Sequence, residues 1–161
     1  MSRTITITPS GERRIVTTRT FDAPKQQVFD AFTRPKMLKC WMFGPDGWSL
    51  PHCEVDLKPG GRWRYLWRHD DGREMAASGE YLEISPPDKL VHTERFDEDW
   101  TGGETIVTTR FTEKSGRTTV TLSIEYAAGE TRDRVLKSPM AAGMEAGYAR
   151  LDRILLQQHE A

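Results

Sequence analysis

The chain has 161 residues, 23 of them basic and 24 acidic, for a net charge of -1. That length suits one domain that buries roughly 70% of its unfolded surface and has room for a cavity. A near-zero balance gives no general field for phosphate backbones or anionic lipid, so neither nucleic acid nor membrane is expected as a partner.

In chain order, MSRTITITPSGERR lacks an apolar core of signal-peptide length, and no run approaches the ~20 apolar residues of a membrane span. The expectation is a cytoplasmic protein with residues 1–12 as a flexible lead and 13–158 as a single domain. RIVTTRTF, residues 14–21, alternates and is rich in β-branched residues, which predicts a first strand. Asp22 and Pro24 suit a helix start, Val28, Phe29 and Phe32 repeat at helical spacing, and Pro35 ends that helix and opens a second.

FGPDGWSLP reads as turn chemistry. Six strands are predicted after it, near 52–57, 62–69, 73–84, 89–96, 105–113 and 118–126. Their short Gly-, Pro- and Asp-rich separators favour antiparallel neighbours. From Glu130 the period changes to 3.6, and Met140, Met144, Tyr148, Leu151 and Leu155 share one stripe of a long helix that starts or kinks at Pro139. The predicted fold class is α+β: a curved antiparallel sheet of about seven strands wrapped around the last helix, with two short helices after the first strand.

GGRWRYLWR, residues 60–68, puts Trp63, Tyr65 and Trp67 on one face of its strand and Arg62, Arg64, Leu66 and Arg68 on the other. The rings either fill a core or line a pocket of roughly 300–1,000 Å³ under the helix. In LVHTERFD, residues 90–97, parity places His92 and Glu94 on the inner face with Leu90 and Phe96, and turns Val91, Thr93 and Arg95 outward. At ~7 Å along a strand, a water or ligand bridges such a pair more easily than a direct bond does. Burial would push the glutamate's pKa up and the histidine's down. The other reading is a pair satisfied by neighbouring strands, as buried polar groups usually are.

Gly143 and Gly147 each cost a helix about 1 kcal/mol relative to alanine, so something comes close there, either the sheet or a ligand. Trp41, Phe43 and Trp48 crowd the expected cavity mouth, and Trp100 comes after the His92 strand. Cys40 and Cys53 are read as free thiols; with His52 they lack paired C-x-x-C spacing, so no metal and no cofactor are expected.

Several segments in order, KPGGRWRY at 58–65, DGRE at 71–74, GEY at 79–81, Pro86-Pro87, LVHTERFD, and GMEAG at 143–147 with Tyr148, Leu151 and Asp152, resemble the bacterial proteins similar to the activator of the heat-shock-protein-90 ATPase. The likeness runs from about Ile15 to Leu156. It implies the helix-grip fold of the START-like (SRPBCC, birch-pollen-allergen type) superfamily. It also implies, as alternatives, ligand binding, co-chaperone or stress-response activity, and cyclase or hydrolase chemistry.

The leading expectation is a binder of a small hydrophobic or aromatic molecule. Its candidate ligand-binding residues are Trp41, Trp63, Tyr65, Trp67, His92, Glu94, Phe96, Met144 and Tyr148. A chaperone is the alternative partner. His92 and Glu94 are the candidate catalytic residues of the enzyme reading, for which no nucleophile with its own base is visible. The oligomeric state stays open.

Overall fold

A computed structural model describes residues 4–160; the first three residues of the expected lead and Ala161 lie outside the described residues. The elements are β1 (Thr6–Ser10), β2 (Arg14–Phe21), α1 (Lys25–Thr33), α2 (Pro35–Trp41), β3 (Trp48–Val55), β4 (Arg62–His69), β5 (Glu74–Ser85), β6 (Lys89–Phe96), β7 (Thr105–Lys114), β8 (Arg117–Glu125), α3 (Gly129–Leu136) and α4 (Met140–Glu160). The strands form one antiparallel sheet in the order β1-β2-β8-β7-β6-β5-β4-β3. This order places β2 near one edge and β3 at the other, so α1 and α2 carry the chain across the sheet.

The expected α+β fold class holds; one strand boundary is corrected and two details are refined. The sheet has eight strands instead of about seven, because Thr6–Ser10 in the lead pairs with β2 from Thr6↔Thr18 to Ser10↔Arg14. Pro9 masks this strand in the sequence, yet an edge strand tolerates a missing donor. β3 starts at Trp48, inside the segment read as a turn; it too is an edge strand, and its register shifts between Ser49 and His52, around Pro51. Finally, the long last helix starts just past Pro139, one of the two expected arrangements, and the residues before the turn at Lys137–Pro139 form a separate helix, α3.

At the start of α1, Pro24 is the N-cap residue, and Asp22 pairs with Arg117 at 2.9 Å instead of capping. Two apolar clusters hold the fold together. The larger joins α1 and α2 to Tyr148, Leu151 and Leu155 of α4 and to inner residues of the sheet, among them Phe21, Phe111 and Val120. The smaller gathers Ile15, Val107, Ile124, Tyr126 and Val135, with Met140 against it.

α4 is also clamped electrostatically. Arg19, on the inner face of β2 and 2% exposed, donates from Nε and Nη2 to Glu145 at 3.0 and 2.9 Å, and from Nη1 and Nη2 to Asp152 at 3.1 and 2.7 Å. Glu145 and Asp152 are seven residues apart, two helical turns, so they share a face of α4 and flank one guanidinium. The Ile5 N–H also donates to Glu145 Oε1 at 2.8 Å, which ties the lead to the same clamp.

Candidate functional site

The C-terminal half of α4 packs solidly, whereas its N-terminal half lies over a cavity of about 510 Å³ between sheet and helix. The strands build its wall by alternation. Trp63, Tyr65 and Trp67 of β4 point inward, while Arg64 and Arg68 on the opposite face pair with Asp97 at 2.8 Å and Glu74 at 2.7 Å. On β6, Leu90, His92, Glu94 and Phe96 all reach the cavity. The β6–β7 register is continuous from Lys89 to Glu94, and the irregularity in this region falls on β5, between Tyr81 and Glu83, so parity along β6 survives.

All nine candidate ligand-binding residues, Trp41, Met144 and Tyr148 included, line this one space. Thr93 does not line the cavity, yet it is buried, and its Oγ1 accepts the Glu80 N–H at 3.0 Å. Here Trp63 passes over Gly79 of β5, and its indole N–H donates to the Thr93 carbonyl at 3.2 Å. A Cβ on Gly79 would lie 1.8 Å from that oxygen and 2.6 Å from the indole nitrogen, so glycine is required for the crossing. The other inward indoles are satisfied in the same way. Trp41 donates to Ala31 O and Trp67 to Met42 O, both at 2.9 Å, which fixes the rings and leaves their carbon surface for the cavity.

The chain's five tryptophans and four tyrosines all line the cavity. Of these, Tyr81, Tyr126, Trp48 and Trp100 were not among the candidate ligand-binding residues. Tyr126 continues the inward alternation Val120, Leu122, Ile124, a signal that was present in the sequence. The ring of Trp63 meets His92 edge-on at 5.4 Å and lies tilted against that of Tyr65 at 4.6 Å. At the rim, Phe43 is covered by the Arg150 guanidinium 3.9 Å above its centroid, and Arg150 also pairs with Asp46 at 3.4 Å.

The polar content is sparse. His92 is enclosed by protein, which holds its pKa down to about 4, and its Nδ1 is buried without a hydrogen-bond partner among the described residues. Burial likewise pushes the Glu94 carboxyl up to about 7. The phenols of Tyr65 and Tyr126 are raised chiefly by burial, with Glu94 adding the second contribution at Tyr126 and a smaller one, after Tyr81 and Cys53, at Tyr65; all three side chains line the cavity. Cys53, pushed up to about 11 by burial, is an inert thiol.

The two helix glycines now separate. A Cβ on Gly147 would come within 2.9 Å of the Trp41 carbonyl, so this glycine allows α4 to approach α2. A Cβ on Gly143 would meet nothing within 4 Å, and Gly143 lines the cavity.

The sequence profile of the family described as "Activator of Hsp90 ATPase homolog 1-like protein" matches residues 22–156. The chain belongs to that family. Among solved structures, a Rhodobacter sphaeroides protein is 36% identical and superposes with a TM-score of 0.90, covering 96% of this chain and 99% of that one. A Nitrosomonas europaea protein, 20% identical, has a TM-score of 0.82 over 95% of this chain and 100% of that one. An Aeromonas hydrophila protein described as AHSA1-like is 17% identical, with a TM-score of 0.73 over 88% and 93%. The latter two show the fold alone. No curated protein matches the chain. The sheet with its terminal helix is the helix-grip fold of the START-like superfamily, and no helix among the described residues is long and apolar enough to cross a membrane.

Proposed function

We propose that the protein binds a small hydrophobic or aromatic molecule in the cavity between the sheet and α4. One observation carries this reading: at Gly143 the helix gives up about 1 kcal/mol of propensity beside empty space, where an alanine would fit without contact. The cavity volume lies within the range of small-molecule sites, and ring surface with a few polar groups is the lining such sites use. The proposed setting is the cytoplasm, where the free thiols Cys40 and Cys53 stay reduced.

The test uses Nile red, a neutral apolar dye, followed by its own emission and by quenching of the tryptophans. Saturable one-to-one binding is expected. Gly143→Ala should raise stability by up to about 1 kcal/mol in urea denaturation, and Gly143→Phe, whose ring enters the cavity, should keep the fold and lose the dye. Unsaturable binding, or equal binding by Gly143→Phe, would refute the reading. Family membership alone supports the second reading, an interaction module acting on a chaperone. That reading predicts a changed chaperone ATPase rate on addition of the protein, and an unchanged rate would remove it.

A further inference from the structure

Within the cavity proposed above as a binding site, the ionisable groups are unevenly chosen. Among the described residues, its lining holds one carboxyl, Glu94, and no lysine, arginine or aspartate. Buried charges in proteins are normally paired, but Glu94 is displaced by burial alone, and no cation or hydrogen-bond donor among the described residues offsets it. At the rim, Arg150 covers Phe43 and pairs with Asp46 through Nη2, its Nη1 is buried without a hydrogen-bond partner among the described residues, and it does not line the space.

The groups that line the cavity with Glu94 are compatible with positive charge. Tyr65 of β4 and Tyr126, just past β8, present rings to the same space, and both phenols stay un-ionised. His92, two residues along β6, is held neutral, and its unpartnered ring adds hydrogen-bonding capacity without an opposing charge. From β7 come Val107 and Thr109, and from α3 and α4 come Val135, Met140 and Met144, none of them charged. Aromatic rings attract cations through their quadrupoles, most strongly where water is excluded.

We infer that the cavity's ligand is a hydrophobic organic cation, a protonated primary or secondary amine on an aromatic or aliphatic body, whose charge pairs with Glu94 among the rings of Tyr65 and Tyr126. The inference rests on the binding reading and sharpens it. Binding the ammonium group selects the carboxylate form of Glu94, so below about pH 7 each amine bound releases one proton from Glu94 to solvent.

The test compares three probes of one shape by calorimetry: 2-naphthylmethylamine, 2-naphthalenemethanol and 2-naphthoic acid. At pH 8 the amine should bind at least tenfold more tightly than the alcohol, and the acid should bind most weakly. With Glu94 titrating near 7, amine affinity should rise about tenfold from pH 6 to pH 8. At pH 6 the heat should vary with buffer ionisation enthalpy as one released proton requires. Glu94→Gln should abolish the amine's advantage over the alcohol. If the alcohol or the acid binds as tightly as the amine, or Glu94→Gln keeps the preference, the cation inference is overturned while saturable Nile red binding leaves the cavity reading intact. If neither the dye nor any probe binds, both are overturned.

Discussion

Glu94→Gln is expected to make the protein more stable at pH 8, by on the order of 2–3 kcal/mol, and to leave stability near pH 4 unchanged. The carboxyl's pKa moves from 4.5 to about 7 on folding, which at roughly 1.4 kcal/mol per pH unit is an upper bound of about 3 kcal/mol. Proton uptake sets the sign. Below pH 4.5 the group is protonated in both states and costs nothing. Between 4.5 and 7 the unfolded chain ionises first, so folding stability falls as pH rises, and above 7 the loss is complete. Glutamine keeps the shape and never ionises.

His92 has the opposite slope. Its pKa drops from 6.5 to about 4 on folding, so its contribution is full above 6.5 and is lost as pH falls through 4. Between pH 4.5 and 6.5 the two slopes cancel. Urea titrations from pH 4 to 8 should therefore show a plateau in the parent protein. Glu94→Gln should instead lose stability on acidification, and His92→Gln should lose it on going alkaline. A parent and a Glu94→Gln variant with parallel curves would show that this carboxyl is not sheltered.

Arg19→Met should cost about 3 kcal/mol, at the lower end of the penalty for removing one partner from a buried ion pair. The lower end applies because Glu145 and Asp152 retain side-chain exposures of 25% and 26% and recover some hydration. Arg19→Lys should restore only part of the loss, because a single ammonium cannot donate in parallel to both carboxylates. Adding Glu145→Gln and Asp152→Asn to Arg19→Met should recover stability, since three uncharged groups carry no unpaired charge. Urea midpoints of the single, double and triple variants measure the coupling, and strictly additive effects would contradict a three-member clamp.

The parts of this molecule that were legible in its sequence are those governed by local period. Alternation along 62–68 and 90–96 put Trp63, Tyr65, Trp67, His92 and Glu94 on one side, and the 3.6-residue stripe put Met144 and Tyr148 opposite them. The hidden parts depend on partners distant in the chain. Nothing near Arg19 announces Glu145 and Asp152, 126 and 133 residues away. Gly79 looks like ordinary strand glycine until Trp63 is seen passing over it. Thr6–Ser10 and the start of β3 carry prolines that argue against a strand, and only their places at the sheet edges allow them.

The position of β2 between β1 and β8 also matters during synthesis. One edge needs residues 117–125 and its inner side needs α4, and both emerge from the ribosome roughly 5–20 s later at cellular elongation rates. Through that wait RIVTTRTF, rich in β-branched residues, has only β1 to pair against on one edge, and Arg14 and Arg19 are the charges it carries, the residue type that guards a hydrophobic strand against aggregation. The guanidinium that ends up between Glu145 and Asp152 is thus, until α4 arrives, a charge on the inner side of an uncovered strand.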